Sequence, residues 1–227
     1  MVSNSSLDER ATAVEIGGLV DGVGAPVMRA AYSLKAKPSW IKLSAVEGTG
    51  NSQVDVTAPV YKGREGRSGS ITVAVEDLTE EVAIQQSGSN IWDVTTQSLA
   101  FVKTGEAKKF TGNSNLASIT FAVDSDASNW LTAGKLVVNK KEYNSGAAIE
   151  NDPGASDVYA FEITFTAAAN PTVNTRTGHV TVNGQKYTVT QAAGDATLSV
   201  SPTSLTFAAA GETKQIMITT NTAWTIS

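Results

Sequence analysis

The 227-residue chain contains no cysteine, so disulfides, thiolate metal sites and cysteine nucleophiles are excluded together. It contains one histidine, His179, and therefore no site that needs two imidazoles. Positive charge is also scarce. Lysine and arginine number 17 against 22 aspartates and glutamates, a net charge of −5. Nucleic-acid binding depends on clustered cations that release counterions, and this balance argues against it. Long apolar runs are missing as well. No segment approaches the ~20 apolar residues of a membrane-crossing helix, and no membrane association is expected. Residues 1–10 lack the basic start and apolar stretch of a secretory leader. The expectation is that the protein is not exported by that route, or that a leader was removed ahead of this chain.

What remains is a globular composition, 41% hydrophobic and 17% charged, patterned for β-structure. Alternation runs through Ile71-Thr72-Val73-Ala74-Val75, Ile119-Thr120-Phe121-Ala122-Val123 and Phe161-Glu162-Ile163-Thr164-Phe165. It returns in Val180-Thr181-Val182 and Tyr187-Thr188-Val189. Period two with β-branched and aromatic residues on one face describes strands with one buried and one wet side. Turn chemistry separates them at residues 47–51, 62–66 and 151–154 and at Asn183-Gly184. No stretch sustains a capped helical period. The fold class read from this pattern is all-β, built of antiparallel β-sandwiches.

A repeat organises the chain. Val94-Thr95-Thr96-Gln97-Ser98-Leu99-Ala100-Phe101 returns 106 residues later as Val200-Ser201-Pro202-Thr203-Ser204-Leu205-Thr206-Phe207, and Gly105-Glu106 returns as Gly211-Glu212. Arg67-Ser68-Gly69-Ser70-Ile71-Thr72-Val73 returns after 109 as Arg176-Thr177-Gly178-His179-Val180-Thr181-Val182, and Ile84-Gln85-Gln86 after 105 as Val189-Thr190-Gln191. The reading is a first sandwich over 31–88 with a degenerate start, a second over 89–194, and the opening strands of a third, incomplete one over 195–227. Those last residues are expected to belong to a longer protein or to be completed by another chain, since half a sandwich buries too little core. A two-residue Asn183-Gly184 turn of type I′ sets Arg176 opposite Gln191. The same rule sets Arg67 opposite Gln86 in a first hairpin four residues longer, with Glu76-Asp77 at its tip. Both pairs are expected to satisfy backbone groups where the sheets close.

These segments carry a resemblance. Ser204-Leu205-Thr206-Phe207-Ala208-Ala209-Ala210-Gly211 followed by Asn221-Thr222-Ala223-Trp224-Thr225-Ile226-Ser227 resembles the opening of a BACON domain, the Bacteroidetes-associated carbohydrate-binding often N-terminal family. Ser39-Trp40-Ile41-Lys42-Leu43 resembles that family's middle, and residues 67–86 and 176–191 resemble its closing hairpin. The resemblance covers residues 33–227 and implies an immunoglobulin-like fold and, through the family's name, carbohydrate binding. Two departures stand out: an insertion-like stretch over 140–157, and a first unit without a convincing opening. Residues 1–30 lie outside the repeat, as an anchor arm that orders on a partner or as irregular opening strands.

Among candidate sites, Trp40, Trp130 and Trp224 are expected in sandwich cores, where large aromatics dominate. Trp92, out of phase with Val94 unless the strand bulges, and the loop aromatics Tyr61 and Tyr143 are the glycan-binding candidates, because an aromatic face stacks on a pyranose. Asp124, Asp126, Glu150, Asp152 and Asp157 match no calcium-loop spacing, so no metal and no cofactor is expected. His179 should point outward on its strand, with no pocket implied, and no catalytic residue is assigned.

The expected function is therefore non-enzymatic. The first reading is a bacteriophage virion-surface protein of head-decoration or fibre type. Residues 1–30 would dock on the capsid or a neighbouring virion subunit, copies would form a symmetric homo-oligomer, and the sandwiches would touch host-surface glycans weakly. The alternatives are a secreted or surface-anchored carbohydrate-binding module of a gut bacterium, extracellular or on the outer surface, and a pure spacer without ligand.

Overall fold

Each alternating segment finds an antiparallel partner inside one of two units, Met1–Asn90 and Ile91–Ser227. The computed structural model describes residues 12–16 and 31–227; the arm expected over 1–30 otherwise lies outside the described residues.

The first unit contains β1 (Thr12–Ile16), β2 (Ala31–Ala36), β3 (Lys42–Leu43), β4 (Glu47–Thr49), β5 (Ser52–Thr57), β6 (Arg67–Val75) and β7 (Leu78–Gln86). They form two sheets, ordered β1-β5-β3 and β4-β2-β6-β7. The long β6–β7 hairpin pairs Val75 with Leu78, Ile71 with Val82 and Arg67 with Gln86. Its two-residue turn holds Glu76 in the left-handed region, at φ 52. Between the sheets lie buried Tyr32, Ile41, Ile71 and Val73, with Leu34, Trp40, Val82 and Ile84 only partly covered.

The second unit contains β8 (Trp92–Val94), β9 (Ser98–Phe101), β10 (Glu106–Ser114), β11 (Phe121–Val123), β12 (Leu131–Val138), β13 (Lys141–Tyr143), β14 (Tyr159–Ala167), β15 (Arg176–Val182) and β16 (Gln185–Gln191). A five-stranded sheet, β13-β12-β14-β10-β8, faces a four-stranded one, β11-β15-β16-β9. Asn183 and Gly184, at φ 48 and 74, make the tight β15–β16 turn and put Arg176 opposite Gln191. β9 runs parallel to β16, with Leu99 beside Val189 and Phe101 beside Gln191. Inward residues of both sheets meet in one core that includes Leu99, Phe101, Phe110, Trp130, Phe161, Phe165, Val180 and Val189. Phe110 sits at its centre, edge-on to Phe165 and Tyr187.

The unit closes with a two-stranded sheet of β17 (Leu198–Ser201) and β18 (Met217–Thr220). Trp224, expected in a core, is instead 53% exposed. Among the described residues no second sheet lies over this hairpin, so there is no interior for the indole to enter. Residues 204–207, the repeat of β9, stand outside any strand, and Phe207 is 55% exposed.

Candidate functional site

Two features could carry function: a polar clasp that recurs in both sandwiches, and a groove found in the second.

The clasp is built by the closing hairpins. Arg67 donates from Nε and Nη2 to Gln86 Oε1, at 3.0 and 2.7 Å, and Gln86 Nε2 donates to the Pro59 carbonyl at 2.7 Å. The guanidinium lies between two rings, 4.2 Å from the centre of Trp40 and 4.3 Å from that of Tyr61. In the second sandwich Arg176 Nε donates to Gln191 Oε1 at 2.8 Å, and the guanidinium stands 4.7 Å from the Trp130 ring centre. Gln191 Nε2 donates to the carbonyls of Val102 and Ala168 at 2.9 and 2.8 Å. Burial pulls the Arg176 guanidinium below its ordinary value without discharging it. The donors and acceptors of each clasp are turned on one another and on backbone carbonyls. The arrangement locks the end of a sandwich and leaves little for a ligand.

The groove is different. The β12–β13 hairpin turns through Asn139 and Lys140, both left-handed at φ 50 and 67. Its strands set Val138 opposite Lys141 and Leu136 opposite Tyr143. The insertion-like stretch then folds back over the hairpin. Ile149 N–H donates to the Ala117 carbonyl at 2.9 Å, and Glu150 N–H reaches the Tyr143 hydroxyl at 3.4 Å. Asn151 and Asp152 are again left-handed, at φ 58 and 37. Gly154 pins the loop: a side chain there would meet the Asn115 carbonyl oxygen at 2.0 Å, so only glycine allows the approach. The result is an open concavity of about 240 Å³ lined by Val138, Asn139, Lys141, Tyr143, Ile149, Glu150, Asn151 and Pro153. Lys141 pairs with Glu150, whose carboxylate holds the ammonium above its ordinary value. Two left-handed asparagines, Asn139 and Asn151, thus line the groove, each followed by a second left-handed residue. At Asn139-Lys140 this is the conformation that a two-residue hairpin turn takes.

The three glycan candidates fare differently. Tyr143 lies in the groove. Trp92 stacks its ring on Phe161 at 5.0 Å, points its Nε1–H to the Tyr187 hydroxyl at 3.4 Å and packs against the core. One flat face of the half-buried indole is thereby taken. Tyr61 carries Arg67 on one face, as described above, and belongs to the clasp. Trp130 is buried and Trp40 half-buried.

His179 Nδ1 lies 2.6 Å from Asp126 Oδ2, and Asp126 also accepts the His179 backbone N–H at 3.0 Å. Asp124 accepts from Thr181 Oγ1 at 2.8 Å and pairs with Lys186 at 3.0 Å. These contacts tie the 124–127 turn to β15 and β16. Among the described residues, no cluster of His, Asp and Glu could hold a metal ion. Sequence reasoning flagged the 140–157 stretch and Tyr143 but not Asn139 or Asn151 as groove residues. The local signal was two asparagines at turns, a residue type that tolerates the left-handed region.

With this geometry in place, the family model described as "BACON: Putative binding domain, N-terminal" matches residues 30–87 and 120–192, more than half of the chain. The chain belongs to the BACON family, and it carries two copies of the domain. No curated protein matches it. It is similar to the solved structure of S-layer protein SbsC domains 4 and 5, with 11% identity, 71% of this chain and 70% of that one covered, and a TM-score of 0.32. It is similar also to a protein of unknown function from Porphyromonas gingivalis W83, at 9% identity, 81% and 92% coverage and a TM-score of 0.26. The I9–I11 tandem from titin aligns at 10% identity, 84% and 62% coverage and a TM-score of 0.22. Likeness at these scores fixes no function.

Proposed function

We propose that the chain is a non-catalytic carbohydrate-binding module of an extracellular or bacterial outer-surface protein, with the β12–β13 groove of the second sandwich as its sugar face. The observation that carries this reading is the lining of the groove. An aromatic ring from Tyr143 and the apolar Val138, Ile149 and Pro153 lie beside the amides of Asn139 and Asn151 and the mutually neutralised Lys141 and Glu150. A pyranose presents one apolar face for stacking and a rim of hydroxyls that donate and accept. Amide side chains answer both roles. Membership of a binding-domain family whose name refers to carbohydrate supports the same reading. The concavity is open and has one ring, so a single site binds weakly and useful avidity comes from several copies.

The virion-surface placement expected from the sequence draws no support from the fold, the groove or the family match. The bacterial module is the reading these observations favour.

A glycan array probed with the full chain, followed by titration of any retained glycan, tests the proposal. Wild-type protein is expected to retain at least one neutral oligosaccharide, and Tyr143→Ala and Asn151→Gly are expected to abolish the retention. An array that stays blank, or binding that survives both substitutions, contradicts it.

A further inference from the structure

The two sandwiches close differently along one edge. In the second, β9 lies beside β16 and delivers Leu99 and Phe101 to the core, where Phe101 meets Trp130 edge-on at 6.4 Å. In the first, the repeat of β16 is the C-terminal half of β7, and β7 ends its sheet: among the described residues no strand pairs with its outer edge. The side chains record the difference. Val189 and Gln191 are 0% and 1% exposed, whereas their counterparts Ile84 and Gln86 are half-exposed, and Trp40 is likewise less covered than Trp130. Among the described residues, the first sandwich has no counterpart of β9, the parallel strand that bears a leucine and a phenylalanine two residues apart.

The chain holds such a strand. Ser204-Leu205-Thr206-Phe207 repeats Ser98-Leu99-Ala100-Phe101, lies in no sheet and exposes its phenylalanine. No segment in residues 1–30 has this pattern. The flanking residues are held to the second unit, through Asn221 Nδ2 to the Pro171 carbonyl at 2.8 Å and the Lys103–Asp195 ion pair at 2.6 Å. The receiving edge is suited to pairing. Ala83, Ile84, Gln85 and Gln86 are uncharged, and the charged Glu80 and Glu81, which discourage edge pairing, lie only in the N-terminal half of β7.

We propose that residues 204–207 of one copy add as a parallel strand to β7 of a second copy, so that copies associate head to tail. The register follows β9 on β16: Ser204 beside Ala83, Leu205 beside Ile84, Thr206 beside Gln85 and Phe207 beside Gln86. Main-chain hydrogen bonds hold the strand, Leu205 covers Ile84, and Phe207 covers the exposed side of Trp40. The contact joins two different surfaces, so it propagates rather than closing on a two-fold axis.

The absence of cysteine makes the test direct. Two full-length variants, Gln85→Cys and Thr206→Cys, carry thiols on the outward face of the proposed pair and leave the core untouched. Mixed and treated with a short bifunctional thiol cross-linker, they are expected to give a covalent dimer that neither variant gives alone. Adding Phe207→Asp to the Thr206→Cys chain is expected to remove it. Three results overturn the proposal: no dimer from the mixture at concentrations up to the solubility limit, a dimer unaffected by Phe207→Asp, or a double variant that cross-links only within its own chain.

Discussion

The first and second sandwiches share a closing hairpin, an Arg–Gln clasp and a tryptophan under the arginine, yet their interiors differ widely. In the second, buried residues from both sheets join one core centred on Phe110, and Gln191 is sealed beneath β9. In the first, the fully buried set of the core cluster is Tyr32, Ile41, Ile71 and Val73, and the same clasp stands half in solvent. A hairpin and its clasp are thus enough to define the end of a sandwich but not to fill it. In the second, β9 adds Leu99 and Phe101 to that interior, and among the described residues of the first no strand does the same.

This contrast can be pressed at several points. The largest expected effect is that of Phe110→Ala. The ring is fully buried, so its removal should cost the second sandwich ~3–5 kcal/mol and leave the first unchanged. Urea unfolding of the full chain, followed by amide signals from each unit, should show only one of two transitions moving. Next comes Gln191→Leu. It removes the side-chain donor from the carbonyls of Val102 and Ala168, which keep the Gly105 N–H and Arg176 Nη2, and leaves the partly buried Arg176 Nε without its acceptor, at ~1–3 kcal/mol. Gln86→Leu, at the half-exposed counterpart, should cost visibly less, because water replaces what the side chain gave. Equal losses at the two positions would mean that the clasps are equally sealed.

Lys140→Gly acts in the other direction. Lysine at φ 67 stores ~1 kcal/mol that glycine does not, so the thermal midpoint of the second sandwich should rise. If the groove needs that turn held stiff, glycan affinity should fall as stability climbs. The pH response is subtler. The Thr181 hydroxyl, and then Lys186, hold the Asp124 carboxyl below the ordinary carboxylate range, and the His179 ring does so for Asp126. Both groups take up protons less readily folded than unfolded. Their contribution is complete above the unfolded value near ~4 and is lost as pH falls through the folded values. Acid titration of the second unit should therefore show a stability decline below that range, reduced in Asp124→Asn.

Much of this architecture was readable in the residues. Period-two alternation marked the strands, and the Asn183-Gly184 turn fixed the hairpin register that pairs Arg176 with Gln191. The same rule carried over to Arg67 and Gln86 because strand pairing is counted outward from the turn. Trp224 and Trp92 were harder, since a tryptophan's burial depends on which sheet covers it. Among the described residues no sheet covers Trp224, while Phe161 lies against Trp92. The groove was the least legible part. Tyr143 was visible as a loop aromatic and the asparagines at both turns were a local cue, but the folding of the 145–155 stretch over the hairpin rests on long-range contacts such as Gly154 against Asn115, which leave no local pattern.

Amide exchange decides most directly whether the two edges differ. Register counted from each turn directs the N–H groups of Ala83 and Gln85 away from β6, and those of Thr188 and Thr190 away from β15 toward β9. In dilute solution, residue-resolved hydrogen exchange of the full chain should find Ala83 and Gln85 exchanging fast while Thr188 and Thr190 stay protected. Equal protection at all four amides would contradict the account, because it would place a strand beside β7 in the isolated chain.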